Sequence, residues 1–179
     1  MKNKKGANNF PKLLIISSAR WGKDTFAEIL RNNFDFSYSC SSQAASDIFL
    51  YKELKDKYGY KNSVECFEDR VNHRPLWYNM ILDYNKDDKA RLAKEILKVS
   101  DCYVGMRDRE EIEECNRQGL FDLIIWIDAS KRLPPEKSDS FNIDISYAHI
   151  IVDNNGTLEE FVEKVKRLGK ILCAYKSEN

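Results

Sequence analysis

Residues 12–25 read KLLIISSARWGKDT, and this stretch decides the fold class predicted for the chain. Its first part, Lys12–Ser17, is an apolar run typical of a buried strand. Its last residue opens a helical segment, Thr25–Arg31, whose apolar positions lie on one face. The loop between them carries the pair Gly22-Lys23. A strand that passes through a short loop into a helix is the first unit of an α/β fold.

The rest of the chain repeats this alternation of short apolar runs and longer segments of helical periodicity. Pro75 lies inside one helical segment and predicts a kink or break near Arg74, while Thr157 and Glu160 form a capping box that starts the last helix. The pattern predicts a three-layer α/β fold in which a parallel central sheet of about five strands carries helices on both faces. The predicted strands are 12–17, 36–40, 102–104, 123–127 and 149–152, and the predicted helices are 25–31, 42–57, 63–84, 90–99, 108–117 and 157–168.

Length and composition limit the classes of function. At 179 residues the chain is predicted to be one domain, 1–179, with residues 1–10 as a flexible leader. Its 29 basic and 29 acidic residues balance, so there is no global basic field to hold nucleic acid. No apolar run approaches the ~20 residues of a membrane-spanning helix. Five scattered cysteines are typical of reduced thiols, which predicts a cytoplasmic protein.

The loop that follows the first strand has the features of a phosphate-binding site. Backbone amides converge at such a loop, the dipole of the next helix favours negative charge, and the ammonium of Lys23 reaches a transferred phosphate. Asp24 and Thr25 are candidate Mg²⁺ ligands. The alternatives are that Gly22-Lys23 only turns the strand into the helix, and that Asp24 only caps the helix dipole. The residues predicted to bind the nucleotide here are Ser18, Ala19, Arg20, Trp21, Gly22, Lys23, Asp24 and Thr25.

Three short segments together resemble a known family. Gly-Lys-Asp-Thr after the first strand, VGMR at 104–107 after the third and DNNGT at 153–157 after the fifth are similar to the phage deoxynucleoside monophosphate kinases, within the nucleoside monophosphate kinase group. The matching blocks span most of residues 12–168, and only the phosphate loop is specific by itself. The resemblance implies a P-loop kinase fold, ATP and Mg²⁺ as cofactors, and Arg107 as the residue that holds the phosphate of the acceptor.

The sequence departs from that family at two positions. Ser17 stands where the usual loop has its first glycine. Gly105 stands where family members often carry an acidic residue that orients the metal. The second departure shifts the expected metal-binding role onto Asp24.

A charged segment at 68–74, within a predicted helical insertion at 42–99, is the candidate acceptor site. Paired arginines can clamp a phosphate, and Trp77 offers a flat surface on which a base can stack. If the acceptor is a hydroxyl, Asp69 could accept its proton. The alternatives are a solvated charged face and, for His73, a structural hydrogen bond. The residues predicted to bind the acceptor are Ser41, Gln43, Arg70, His73, Arg74, Trp77 and Arg107.

A second loop, 130–142, carries two prolines and is predicted to close over the site as a lid. Lys131 and Arg132 at its start resemble lid cations, and Arg132 is expected to stabilise the charge of the transition state, with plain solvent exposure as the alternative. The loop after the fifth strand, with Asn154, Asn155 and Gly156, resembles the adenine-side loop, or is a simple turn. The residues expected to take part in catalysis are Lys23, Asp69, Arg107 and Arg132.

Three functions remain open from the sequence. The first is ATP- and Mg²⁺-dependent conversion of a deoxynucleoside monophosphate to the diphosphate. The second is phosphorylation of the hydroxyl of 5-hydroxymethyluracil in DNA during phage base hypermodification, which would make DNA a partner. The third is a nucleotide-binding module without catalysis. The expected partner is a small nucleotide acceptor, a homodimer is compatible with the sequence, and the cytoplasm would be that of the host cell if a phage encodes the protein.

Overall fold

A five-stranded sheet forms the centre of the molecule. The computed structural model describes residues 10–137 and 141–174. Neighbouring strands are parallel throughout, in the order β2-β3-β1-β4-β5. The predicted parallel sheet of an α/β protein is therefore confirmed. The strands are β1 (Leu13–Ile16), β2 (Tyr38–Cys40), β3 (Cys102–Val104), β4 (Leu123–Asp128) and β5 (Ile150–Asp153).

α-Helices lie in the connections between successive strands from β1 to β4, whereas the described residues between β4 and β5 contain only a 3₁₀ turn. The segment between β2 and β3 holds most of them, and in the described residues no helix is both long and apolar enough to traverse a bilayer. The α-helices are α1 (Lys23–Phe34), α2 (Ser41–Ala45), α3 (Tyr51–Tyr58), α4 (Ser63–Asp69), α5 (Arg74–Tyr84), α6 (Arg91–Leu97), α7 (Arg109–Arg117) and α8 (Leu158–Ala174). A π-helical turn (Ser46–Leu50) joins α2 to α3, and 3₁₀ turns lie at Arg70–Asn72 and Ile145–Tyr147.

Successive residues of β1 point to opposite faces of the sheet, and each face has its own core. Leu13 and Ile15 pack with the apolar sides of α1 and α8. Leu14 and Ile16 pack on the other face with residues of α2 to α7. All four side chains are fully buried, which explains why β1 is a continuous apolar run rather than an alternating one. Helices thus cover both faces, as predicted.

The helix predicted over 63–84 is broken where Pro75 indicated. The chain leaves α4 at Asp69, makes the 3₁₀ turn, and begins α5 with Pro75 in its first turn. Proline is tolerated there because the amide it lacks would have no partner within the helix. Because of this break, Arg70 lies in a 3₁₀ turn between α4 and α5.

The strand order brings several loops together at one edge of the sheet. The carboxyl ends of β3 and β4 flank that of β1, with Ile15 paired to Val104 and Ile16 to Trp126. Open parallel sheets bind ligands at this edge, where the chain order of the strands reverses. The predicted leader lies outside the described residues except for Phe10, as do residues 138–140 of the predicted lid.

Candidate active site

The loop between β1 and α1 forms a cradle of backbone amides. Gly22 is the N-cap of α1 with a φ of 104°, a conformation that L side chains rarely adopt. The first hydrogen bond within the helix runs from Phe26 N to Gly22 O (2.9 Å), so the amides of residues 23–25 have no partner inside the helix. Free amides at the positive end of a helix dipole favour an anion.

Two side chains of the loop turn inward and support it from below. The Trp21 indole is 4% exposed and packs edge-to-face on Trp126, with ring centroids 6.1 Å apart. It therefore leaves the space above the loop open, and only the backbone of Trp21 belongs to the cradle. Ser17, which replaces the usual glycine, is also buried and donates its hydroxyl to the carbonyl of Ser18 (2.9 Å).

Lys23 lies at the centre of the site. Its Nζ donates to Asp24 Oδ2 (3.0 Å), and its side chain is largely buried. Gly105, with a φ of 89°, follows β3 beside it: a Cβ built there would lie 3.3 Å from Lys23 Cε. A side chain at position 105 would press on the lysine, so the glycine that replaces the expected acid leaves room for Lys23.

The oxygen donors beside Lys23 suit Mg²⁺. The Asp24 side chain is 63% exposed in the first turn of α1, and Thr25 next to it is exposed as well. Across residues 10–137 and 141–174, no group of three or more His, Cys, Asp or Glu side chains could hold a metal. Mg²⁺ is commonly held by one or two carboxylates together with waters and substrate phosphates, and Asp24 with Thr25 fits that pattern.

Arg70 lies at the break between α4 and α5, where it contacts Phe67. Its Nη1 donates to the carbonyl of Phe67 (2.8 Å), and its guanidinium lies over the Phe67 ring, 3.7 Å from the centroid. Burial lowers the pKa of Arg70, as does the charge of Arg74, whereas the charge of Asp24 acts in the opposite direction. Arg74 begins α5, four residues further along the chain.

Residues at the carboxyl end of β2 make hydrogen bonds to Asp24 and to the turn after β3. Cys40 Sγ donates to Asp24 Oδ1 (3.5 Å), and burial together with Asp24 raises the pKa of this thiol to about 12. The thiol therefore stays protonated and remains a donor. Ser41 Oγ donates to the carbonyl of Gly105 (3.1 Å). Gln43 instead donates to the carboxylate of Asp47, with both N–O distances 3.2 Å.

Asp69, His73 and Trp77 make their contacts elsewhere. Asp69 accepts hydrogen bonds from Tyr60 (2.5 Å) and Asn72 (2.6 Å), and it lies 3.1 Å from His73 Nε2. These partners, Tyr60 first, lower the pKa of Asp69 and make it a weak proton acceptor. His73 also stacks on Tyr58, and Trp77 is 4% exposed in the core, so its ring has no open face for a base.

A pocket of about 180 Å³ opens on the other side of Gly22. It is smaller than the roughly 300–1,000 Å³ of sites that enclose a whole ligand, and it therefore suits one part of a nucleotide, such as a base. Its walls combine two cations with apolar side chains, an arrangement that accepts a flat aromatic ring. The residues that line the pocket are Arg20, Gly22, Thr25, Arg132, Asn154, Gly156, Leu158 and Phe161.

The loop after β5 ties this pocket to the phosphate loop. Asn154 is buried and donates its side-chain amide to the carbonyl of Trp21 (2.7 Å). Arg132 Nε donates to the carbonyl of Asn154 (2.6 Å), and the amide of Lys131 donates to Asn155 Oδ1 (2.8 Å). Arg132, expected at the transferred phosphate, lines the pocket together with Gly22 and Thr25.

Sequence reasoning missed one residue of the site, Glu136. Its backbone amide donates to Ser18 Oγ (3.3 Å), and its Oε1 accepts from Arg107 Nη2. Its side chain is only 14% exposed, and Oε2 is buried with no hydrogen-bond partner in the described part of the chain. The signal in the sequence is slight: an acid that follows two prolines in a loop expected to act through its cations.

Comparison with known proteins gives structural similarities only. No protein-family model and no curated protein matches this sequence. Similar solved structures include a shikimate kinase from Bacteroides thetaiotaomicron, at 11% identity and a TM-score of 0.47, covering 89% of this chain and 97% of that one. A gluconokinase from Sinorhizobium meliloti 1021 is 12% identical with a TM-score of 0.46, covering 92% of this chain and 97% of that one. Similarities at this level determine neither a reaction nor a substrate.

Proposed function

We propose that this protein is a P-loop phosphotransferase that uses ATP and Mg²⁺ to phosphorylate a deoxynucleoside monophosphate. One observation carries the proposal: the turn after β3 that leads to Arg107 lies against Lys23, since a Cβ on Gly105 would be 3.3 Å from Lys23 Cε. A loop that binds a triphosphate would then face a second cluster of cations across a short gap. Phosphoryl transfer between two nucleotides requires that both anionic substrates lie side by side. A lysine between them would neutralise part of their charge.

Each part of the site has a role in this proposal. Mg²⁺ and ATP, when bound, supply the phosphoryl group and a cation that neutralises part of its charge. The amides of residues 23–25 and the ammonium of Lys23 hold the donor phosphates, and Asp24 with Thr25 holds the metal. Arg132 and Arg20 flank the donor base. Because Lys23 is largely buried, its charge acts with little screening.

The acceptor side is built from arginines that suit a phosphate. Arg70 and Arg74 come from the broken helix, and Arg107 comes from the loop after β3. Arginine recognises phosphate through paired N–H donors, which fixes both position and orientation. We take the segment 42–99 to receive the acceptor and 130–142 to close over it, within one domain. All five cysteines are free thiols, which supports a reducing cytoplasm as the working environment.

The first test is removal of the Lys23 ammonium. In Lys23→Ala we expect transfer from labelled ATP to deoxynucleoside monophosphates to fall by at least about 100-fold, since one preorganised electrostatic contact is commonly worth that much. Lys166→Ala is the matched control, because Lys166 pairs with Glu163 on the surface of α8. Circular dichroism should be unchanged in both variants. Full turnover in Lys23→Ala would contradict the proposal.

The acceptor is tested with a panel of substrates and the wild-type protein. Each deoxynucleoside monophosphate, the matching nucleosides and duplex DNA containing 5-hydroxymethyluracil are incubated separately with labelled ATP. We expect label in one or more monophosphates. Label in DNA alone would replace the proposed acceptor with a hydroxyl group. Tight nucleotide binding with no transfer to any acceptor would leave a binding module.

A further inference from the structure

Arg107, the arginine predicted to hold the phosphate of the acceptor, is paired with the carboxylate of Glu136 from the same chain. Glu136 reaches Arg107 with its carboxylate and the phosphate loop with its amide, through Ser18 Oγ. These partners lie 29 and 118 positions away in the sequence. One residue of the predicted lid therefore bridges the donor side and the acceptor side of the site.

A carboxylate is the side-chain group that most resembles a phosphate to an arginine. Both present negative oxygens that accept paired N–H donors, and they compete for the same guanidinium. The phosphate of a monophosphate carries more charge and more acceptor oxygens than a carboxylate. Where the two compete for Arg107, the phosphate has the greater electrostatic attraction.

The bridge is also incompletely satisfied. Glu136 Oε2 is buried without a hydrogen-bond partner in the described residues. A buried polar atom without a partner carries a desolvation cost, and this cost is removed when the atom returns to water. An anion that binds Arg107 can therefore replace Glu136, because its release lets Oε2 regain hydrogen bonds with water.

We propose that Glu136 is an acceptor gate, by which we mean that its carboxylate occupies Arg107 until the phosphate of the acceptor displaces it. The gate rests on the proposed function, because that function supplies the phosphate. Displacement frees the segment around Glu136 from Ser18 and admits the acceptor beside the donor. Glu136 then determines how tightly an anion binds, and it takes no part in the transfer of the phosphoryl group.

The experiment measures anion binding without any reaction. Inorganic phosphate is titrated by calorimetry into the full-length wild type, Glu136→Gln, Arg107→Gln and the double variant. We expect Glu136→Gln to bind phosphate about 2- to 5-fold more tightly, the range that partly exposed ion pairs support. The gain should vanish in the double variant because it acts through Arg107. Lys137→Gln is the control: it changes a neighbouring exposed charge and should not tighten binding.

A second readout follows the bridge itself. Hydrogen exchange in the peptide around Glu136 should speed up when phosphate is added to the wild type, and it should already be fast in Glu136→Gln. Unchanged or weaker phosphate binding in Glu136→Gln would overturn the gate, as would a loss of turnover in that variant without a gain in affinity. If Glu136→Gln binds phosphate more tightly but no monophosphate is phosphorylated, the gate stands and the proposed function fails.

Discussion

Glycine is required at position 22 for two reasons: the conformation of its own backbone and the closeness of a neighbouring side chain. Besides its φ of 104°, a Cβ at this position would lie 2.5 Å from Asn154 Nδ2. We expect Gly22→Ala to lower the free energy of unfolding by about 2 to 4 kcal/mol, because backbone strain adds to displacement of the Asn154 amide. Urea unfolding measures the change, and weaker nucleotide binding should accompany it.

Gly59→Ala separates the two causes. Gly59 also has a positive φ, 74°, but a Cβ there would meet nothing within 4 Å. That variant should lose only about 1 kcal/mol from backbone strain. Equal losses of unfolding free energy in Gly22→Ala and Gly59→Ala would show that displacing the Asn154 amide adds nothing to the backbone strain.

At the scale of elements, the start of α8 positions the loop that lines the pocket beside Gly22. Thr157 Oγ1 accepts from the amide of Glu160 (3.2 Å), and the carboxylate of Glu160 accepts from the amide of Thr157 (3.0 Å), so the predicted capping box is confirmed. We expect Thr157→Ala to cost about 1 kcal/mol, seen as a fall in Tm of about 2 to 4 °C. Thr157→Ser keeps the hydroxyl and should keep most of the stability; the same fall in both variants would rule out the cap as its cause.

For the whole molecule, pH dependence of stability should reveal one buried carboxyl. Burial raises the pKa of Glu111 from its ordinary 4.5 to about 8, and its Oε1 accepts from the Tyr103 hydroxyl (3.0 Å). Between these two values the folded state holds a proton that the unfolded state has lost, so this contribution to stability is complete below pH 4.5 and is lost as pH rises through 8. Relative to Glu111→Gln, the free energy of unfolding should fall by up to about 1.4 kcal/mol per pH unit in that window.

Glu114→Gln is the control on the same helix. Hydrogen bonds from Arg117 and Gln118 lower the pKa of Glu114 from its ordinary 4.5 to about 2, so it is ionised in both the folded and the unfolded state from pH 6 to 8. Its substitution should leave the slope of unfolding free energy against pH unchanged over that range. The same slope in wild type and Glu111→Gln would show that Glu111 is already ionised in the folded protein.

The sequence by itself determined the sheet, the order of elements and the loop that leads from β1 into α1. Each of these is encoded within about ten neighbouring residues: the apolar run of β1, Pro75 before α5, and the Gly22-Lys23 pair at the start of α1. Periodicity and local backbone preference act over that distance, so they can be deduced from the residues alone.

Only the tertiary structure decided which side chains the site receives. The Trp77 ring turns into the core because burying a large aromatic ring outweighs exposing it to a ligand, and its predicted role of stacking on a base depended on exposure. Glu136 meets Ser18 across 118 positions of chain, where no local pattern constrains the partner. Contacts of that kind depend on how strands and loops are arranged in space, because packing brings together residues whose sequence neighbourhoods carry no information about one another.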